Sequence, residues 1–452
     1  MTYFSIAGEE VNMESANKPI THPYSNAQSD RSSLQFGIPH VSSEAYARYF
    51  HGPRDLYRHS KYPLFLRLHG SVMPRMIFPI FCLGCWATFI SYISKHYVSL
   101  SAEPLLLTVL GLVVGLCLSF RSSTAYERYS EGRKIWASLL VHSRTLARII
   151  WINVPEVPSS EDDYESKNDL ITKISAINLI LAFAISLKHR LRFQPYADYS
   201  DLAPLIGHLD TYAKNAHDSK SRDGESSLRK TSVWKKIGEF LSLSFAVSNP
   251  RKAINRADAP LGNLPLEIIT YLSSYVQDIA TKNRGPPVLN PALYAQLLIA
   301  LAGLTEVQAQ ADRILNTPLP LGYNILISQL VILYTYLLPF QLLDKLGWIT
   351  IPATVAASYV IIGIAAIGNE LDNPFGNDVN DLPLDTYCHE LRQDLDCLVS
   401  KKPLDFRQVI SGNLNMPLWP LSAQGHDGIL NLNEKNIRDI LKAKVFIKRN
   451  DT

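Results

Sequence analysis

Long runs of one charge are missing from this chain, and so are the short patterns that carry most enzyme chemistry. Lys plus Arg number 44 and Asp plus Glu 41, giving a net charge of +3. No long basic stretch interleaved with aromatics occurs, so nucleic acid is not the expected partner. No GxSxG, HExxH, P-loop or paired-acid constellation occurs, and the histidines are dispersed, none pairing with another at ligand spacing on a helix. The chain is therefore not expected to be an enzyme. Cysteine is scarce at five residues. Cys82 and Cys85 form a CxxC, but it lies inside the apolar run IFPIFCLGCWATFI with no second pair or histidine nearby. Membrane packing is expected there in preference to metal or redox use. No secretory signal peptide is recognisable; the first forty residues are polar, rich in Ser and Asn, and residues 1–45 are expected to be disordered.

What the chain does have is clustered apolar sequence. Its hydrophobic share of 47% is that of a soluble protein on average, yet the apolar residues are gathered into runs. Residues 76–93 hold no charge over about eighteen positions, close to the shortest helix that crosses a ~30 Å hydrocarbon layer. A short link leads to Pro104, which suits a first helical turn because it lacks the N–H that would be unpaired there. Residues 104–120 make a second span. Arg and Lys crowd both outer flanks of this hairpin while the link carries only Lys95, so the positive-inside rule puts the link outside and both flanks in the cytoplasm.

A second hairpin comes late. Residues 321–343 are free of charge, with Pro339 expected to kink them near the far end, and residues 354–367 give a fourth span rich in small residues such as Ala356, Ser358 and Gly363. Between the hairpins, residues 171–189 and 291–315 read as helices of a cytosolic core. Residues 214–233 read as an exposed flexible loop, and the tail over 412–452 is expected to be weakly ordered. The fold class expected is an all-α membrane protein. It has four transmembrane helices, both termini cytoplasmic and a large helical cytosolic region.

One helix links these parts. The segment PLLLTVLGLVVGLCLSFRSSTAYERYSEGRKIW passes without a turn signal from an apolar half into a half dense in charge, so a membrane helix is expected to continue into the cytosol. Residues four apart share a helix face. Leu105, Val109, Val113 and Cys117 form an apolar stripe of that kind. Gly111, Gly115 and Ser119 form a stripe of small groups that admit a neighbouring helix. Such a pair of stripes suits a ring of identical helices around a narrow, dewettable constriction, and it equally suits plain helix packing.

The run FRSSTAYERYSEGRKIW resembles the signature of the bestrophin family of ion channels, in its bacterial and fungal branch. The run TPLPLGYNILISQLVILYTYLLPFQLLDKLGWITIPATVAASYVIIGIAAIGNELDNPFGNDVNDLPLD resembles that family's last hairpin and the acidic segment after it. The resemblance covers roughly 60–150 and 290–400 within a channel domain of 46–411. Residues 204–260 look like an insertion relative to bacterial members, and both ends are unmatched.

The resemblance implies a homopentamer around one pore whose hydrophobic neck falls on Leu105, Val109, Val113 and Cys117. Animal members place aromatic rings in the neck; this stripe has none, so a wider or differently hydrated constriction is expected. A second constriction, at the cytosolic exit, falls on Leu319 between Pro318 and Pro320. Two prolines deny regular helix there, as ordinary turn chemistry also would. Arg121, Glu127, Arg128, Glu131 and Arg133 would surround a vestibule or join subunits by salt bridges, with Arg128 and Glu131 placed to pair at i, i+3. Asn373, Asp378 and Asp381 match positions that grip calcium in animal members. Asn377, Val379 and Asn380 dilute the acids, so a calcium site here would be weak, and a helix-capping loop is the alternative. No cofactor is required by this reading. The function implied is passive conduction of a monovalent ion across the lipid bilayer, chloride first. A cation channel of the same fold and a non-conducting membrane scaffold or sensor are the alternatives.

Overall fold

The computed structural model describes residues 70–98, 100, 104–156, 163–215, 261–281, 289–403, 405–412 and 414–447. The N-terminal segment 1–45 lies outside the described residues, as do 216–260 of the insertion. Among the described residues the regular structure is helical. The main elements are α1 (Met73–His96), α2 (Pro104–Asn153), α3 (Asp163–Leu191), α4 (Leu264–Thr281), α5 (Pro291–Asn316), α6 (Leu321–Leu346), α7 (Thr350–Leu371), α8 (Leu384–Val399) and α9 (Glu434–Ile447).

The long helix behaves as its sequence demands. With no proline after Pro104 and before Asn153, α2 runs unbroken for 50 residues, about 75 Å at 1.5 Å per residue. That is more than twice the ~30 Å of a bilayer's hydrocarbon core, so only one half can be embedded. The two halves accordingly pack against different partners. The apolar half meets α6 and α7, which with α1 form a four-helix group, while the charged half meets α3, α5 and α8.

The larger core belongs to the second half. Trp136, Leu139, Leu146 and Ile150 on α2 are buried with Ile180, Phe183 and Leu187 on α3, Ile268 and Leu272 on α4, Leu304 on α5 and Leu391 on α8. Among the described residues five stretches are long and apolar enough to cross a membrane: α1, α2 from Leu107, α3, α5, and Leu321–Leu371, which holds α6 and α7. Burial separates them. In the most apolar window of α3, 67% of residues are buried within the protein, against 28% for α1 and 17% for Leu321–Leu371. The apolar surface of α3 is thus consumed by protein contacts, as expected for a core helix.

Ion pairs lock α3 to α8. The buried Lys188 ammonium donates to Asp201 and Asp385 at 2.5 and 2.8 Å, and Arg192 donates to the other Asp385 oxygen at 2.7 Å. Burial disfavours the Lys188 charge, but these hydrogen bonds outweigh it and its pKa is raised. For Asp201 and Asp385 the same contacts outweigh burial in the opposite sense and hold both carboxylates below their ordinary value.

Three details differ from the sequence reading. The fourth helix begins at Thr350, four residues before its expected start, so the α6–α7 link is only the turn Gly347–Ile349, with Gly347 at φ 52°. A positive φ is the conformation that glycine adopts without a Cβ clash. Helix α6, with Pro339 inside it, runs to Leu346, three residues beyond the expected end of its span. Beyond residue 412 the tail carries a short helix at His426–Leu430 and then α9, where little order was expected.

Candidate functional site

Residues of the apolar half of α2 fall on two opposed faces. Leu107, Val114, Leu118, Arg121 and Ala125 are buried, at spacings of three, four and seven that keep them in one line. Val114 and Leu118 form a small core with Ile327 and Val331 of α6. The other face is uncovered by the rest of the described chain. Leu105 is 73% exposed, Val109 56% and Val113 40%, whereas Cys117 is half-buried against the small core. The expected neck stripe therefore lies on the open face for its first three members and turns inward at the fourth. Leu112 and Leu116, at 75% and 57% exposure, share that face and were missed. Their three-and-four alternation with Leu105, Val109 and Phe120 is the signal that would have found them.

The small-residue stripe is used within the chain at Gly111. A Cβ on Gly111 would stand 3.0–3.3 Å from the Tyr334 ring and hydroxyl, so glycine admits α6 there. A Cβ on Gly115 would meet no atom of a neighbouring element within 4 Å. A cavity of about 380 Å³ opens between Gly111, Gly115, Ser119, Tyr334 and Ile364.

The charged half of α2 distributes its groups by direction. Arg121 is buried, donates to Asn369 Oδ1 and lays its side chain over Gly368 of α7. Arg128 reaches across to the end of α5, donating to the carbonyls of Ile314 (2.8 Å) and Thr317. It also donates to the Asp372 carbonyl (3.1 Å), with Nε 3.3 Å from the Asp372 carboxylate. Last-turn carbonyls of a helix lack intrahelical partners, and this guanidinium supplies one. Glu131 pairs with Arg313, and Arg133 lies over the Tyr387 ring at 4.3 Å. The expected Arg128–Glu131 pair does not form. Each partner is drawn to a group on another helix, which i, i+3 spacing alone could not reveal. Glu127 is exposed and has no partner among the described residues.

Leu319 is half-buried in the turn between α5 and α6, and Arg128 holds the start of that turn. The acidic segment after α7 is organised by its own groups. Phe375 is buried beneath Gly132, where a Cβ would crowd its ring at 3.2 Å. Asp381 accepts from the Asp378 backbone N–H at 2.7 Å, and its own N–H donates to the Asp378 carbonyl at 3.1 Å. Burial, with the charges of Asp378 and Glu370, pushes the Asp381 carboxyl up to about 6 against the opposing backbone hydrogen bond. Asp378 is engaged by the Arg75 guanidinium at 3.0 Å, and Asn373 is exposed.

As a calcium site this set fits poorly. One carboxylate is already neutralised by a fixed cation and the other caps backbone. Among the described residues no three His, Cys, Asp or Glu are grouped to hold a metal. The expected helix-capping role is not seen either: Asp381 bonds within its own loop, and α8 begins after Pro383 without a side-chain cap.

Comparison with known proteins follows the same outline. A family model described as "Bacterial/Fungal Bestrophin protein" matches residues 53–397. A voltage-dependent anion channel-forming protein of Nostoc is 33% identical over 338 residues, 75% of this chain and 91% of that protein. One of Synechocystis is 30% identical over 340 residues, 75% and 92% of the two chains. One of Escherichia coli is 26% identical over 333 residues, 72% and 88%. Crystal structures of two variants of a bacterial bestrophin homologue from Klebsiella pneumoniae superpose with TM-scores of 0.51 and 0.52 at 22% identity. They cover 72% of this chain and 100% and 99% of those chains. At that identity they show likeness of fold.

Proposed function

The chain belongs to the bestrophin family, and from that premise we propose that it conducts monovalent anions, chloride first, passively across a membrane. It is a channel rather than an enzyme. Four spans, α1, the first half of α2, α6 and α7, cross the bilayer, with α3, α4, α5 and α8 in the cytosol and both termini on that side. The exposed Ile77, Phe81 and Phe89 of α1 meet lipid. At the link ends of the hairpins Lys95 lies 5.3 Å from the Trp348 ring, a pairing of cation and amphipathic ring that belongs at a membrane–water interface. Five copies enclose one pore.

The observation that carries this reading is the uncovered apolar face Leu105, Val109 and Val113 on α2. A membrane helix whose own subunit buries one side presents the other to lipid, to a second copy or to an axis. Aliphatic side chains around an axis make a constriction that gates by dewetting. Leu319, in the proline-flanked turn held by Arg128, makes the second constriction. No cofactor is required.

Purified protein in planar bilayers under asymmetric KCl tests the proposal. A reversal potential near the chloride value is expected. The potassium value would support the rival cation channel, for which the outward-facing Glu127 speaks, and silence would support a non-conducting scaffold. Val113→Ala widens the proposed neck and should raise conductance; an unchanged current would remove the stripe from the pore.

A further inference from the structure

We infer that Glu127 sets the charge preference of the pore's cytosolic side against anions, with Lys134 opposing it farther from the membrane. The inference rests on the pore reading above and adds to it the residues that tune selectivity. It begins with helix geometry. At 3.6 residues per turn a helix returns to the same direction after about five turns, ~27 Å along its axis for 18 residues. Glu127 stands 18 positions after Val109, Glu131 the same distance after Val113, and Lys134 after Leu116. Because α2 is one unbroken helix, the face that carries the apolar stripe in the membrane carries these charges in the cytosol.

The other charges of this part of the helix stand off that face or are engaged. Arg121 and Arg128 turn into the subunit toward Asn369 and Asp372, Arg133 covers Tyr387, and Glu131 is offset by Arg313. Glu127 and Lys134 remain, with Arg148 a further 14 positions along the same face; all three are exposed and without an ion-pair partner among the described residues. Glu127 and Lys134 are about 10 Å apart along the axis, two turns, with the carboxylate nearer the neck. Copies of Glu127 around an axis would form the first charged ring below the constriction. In a narrow aqueous space with low-dielectric walls, such a ring concentrates cations and depletes anions. Preference for anions then originates elsewhere in the pore, and Glu127 limits it.

The test compares wild type with Glu127→Gln, Glu127→Asp and Lys134→Gln by reversal potential in asymmetric KCl, at low and high salt. At about 0.01 M, where the Debye length is ~30 Å, Glu127→Gln should raise the chloride-over-potassium permeability ratio at least about twofold. The gain should vanish near 1 M, where that length is ~3 Å. Glu127→Asp should match wild type, and Lys134→Gln should move the ratio in the opposite sense. If Glu127→Gln leaves the ratio unchanged at low salt while Val113→Ala still alters conductance, the inference fails and the pore reading stands. If neither variant changes anything, the pore reading falls with it. A Glu127→Gln protein that loses the assembly size of wild type on gel filtration would mark the residue as a contact between copies and also overturn the inference.

Discussion

Removing the Arg128 guanidinium should loosen the turn that carries Leu319. In the native chain one side chain joins α2 to the last carbonyls of α5, to the 317–320 turn and to Asp372 at the end of α7. The site is largely shielded: the Arg128 and Asp372 side chains are 14% and 25% exposed. Hydrogen bonds to charged groups contribute ~1.5–3 kcal/mol each, and a buried acceptor left without its donor costs ~1–3 kcal/mol. Thr317 is exposed and regains water, so the loss comes mainly from Ile314 and Asp372. Arg128→Gln should therefore destabilise the protein by ~2–4 kcal/mol, less than the 3–5 kcal/mol of a fully buried broken ion pair. Arg128→Lys keeps the charge but not the fork, so a single ammonium cannot serve all three carbonyls. It should lie between the two. Equilibrium unfolding in mixed micelles, followed by far-UV circular dichroism, measures this. A loss under ~0.5 kcal/mol for Arg128→Gln, within the scatter of ordinary surface substitutions, would refute the reasoning, as would a lysine variant as stable as wild type.

Other substitutions probe separate parts of the fold. A Cβ at Gly303 would overlap the His142 ring of α2, so Gly303→Ala should cost ~1–3 kcal/mol as overpacking; combining it with His142→Ala should recover part of that loss, and purely additive costs would argue against the contact. The Lys188 cluster gives a pH dependence of definite sign. Asp201 and Asp385 are held below the ordinary carboxylate value, so their contribution is present above about pH 4 and lost as pH falls through the depressed values. Asp201→Asn should flatten the acid limb of the stability–pH profile, and an unchanged limb would show that the cluster does not contribute. Chelation of calcium should leave the bilayer current unaltered, because the Arg75 guanidinium already engages Asp378. A current that disappears with chelator and returns with added calcium would contradict this.

The legible and the hidden parts of the molecule divide along physical lines. Hydropathy and helical period are local properties, and they sufficed for the apolar runs and for the continuous α2, whereas burial was needed to show that the apolar surface of α3 belongs to a protein core. They also placed Leu105, Val109 and Val113 on one face, because residues four apart must stack wherever the helix ends up. Partner choice is not local. Arg128 finds Ile314 and Thr317, 186 and 189 positions away, in preference to Glu131 three positions on. Arg75 meets Asp378 across 303 positions. Counting charges along α2 could therefore not say which ones face an ion. Helix period gives the direction in which each charge leaves α2. But only the packing of α5, α7 and α8 drew Arg121 and Arg128 inward, laid the exposed Arg133 over Tyr387 and left Glu127 and Lys134 open, since the tertiary fold decides what is near.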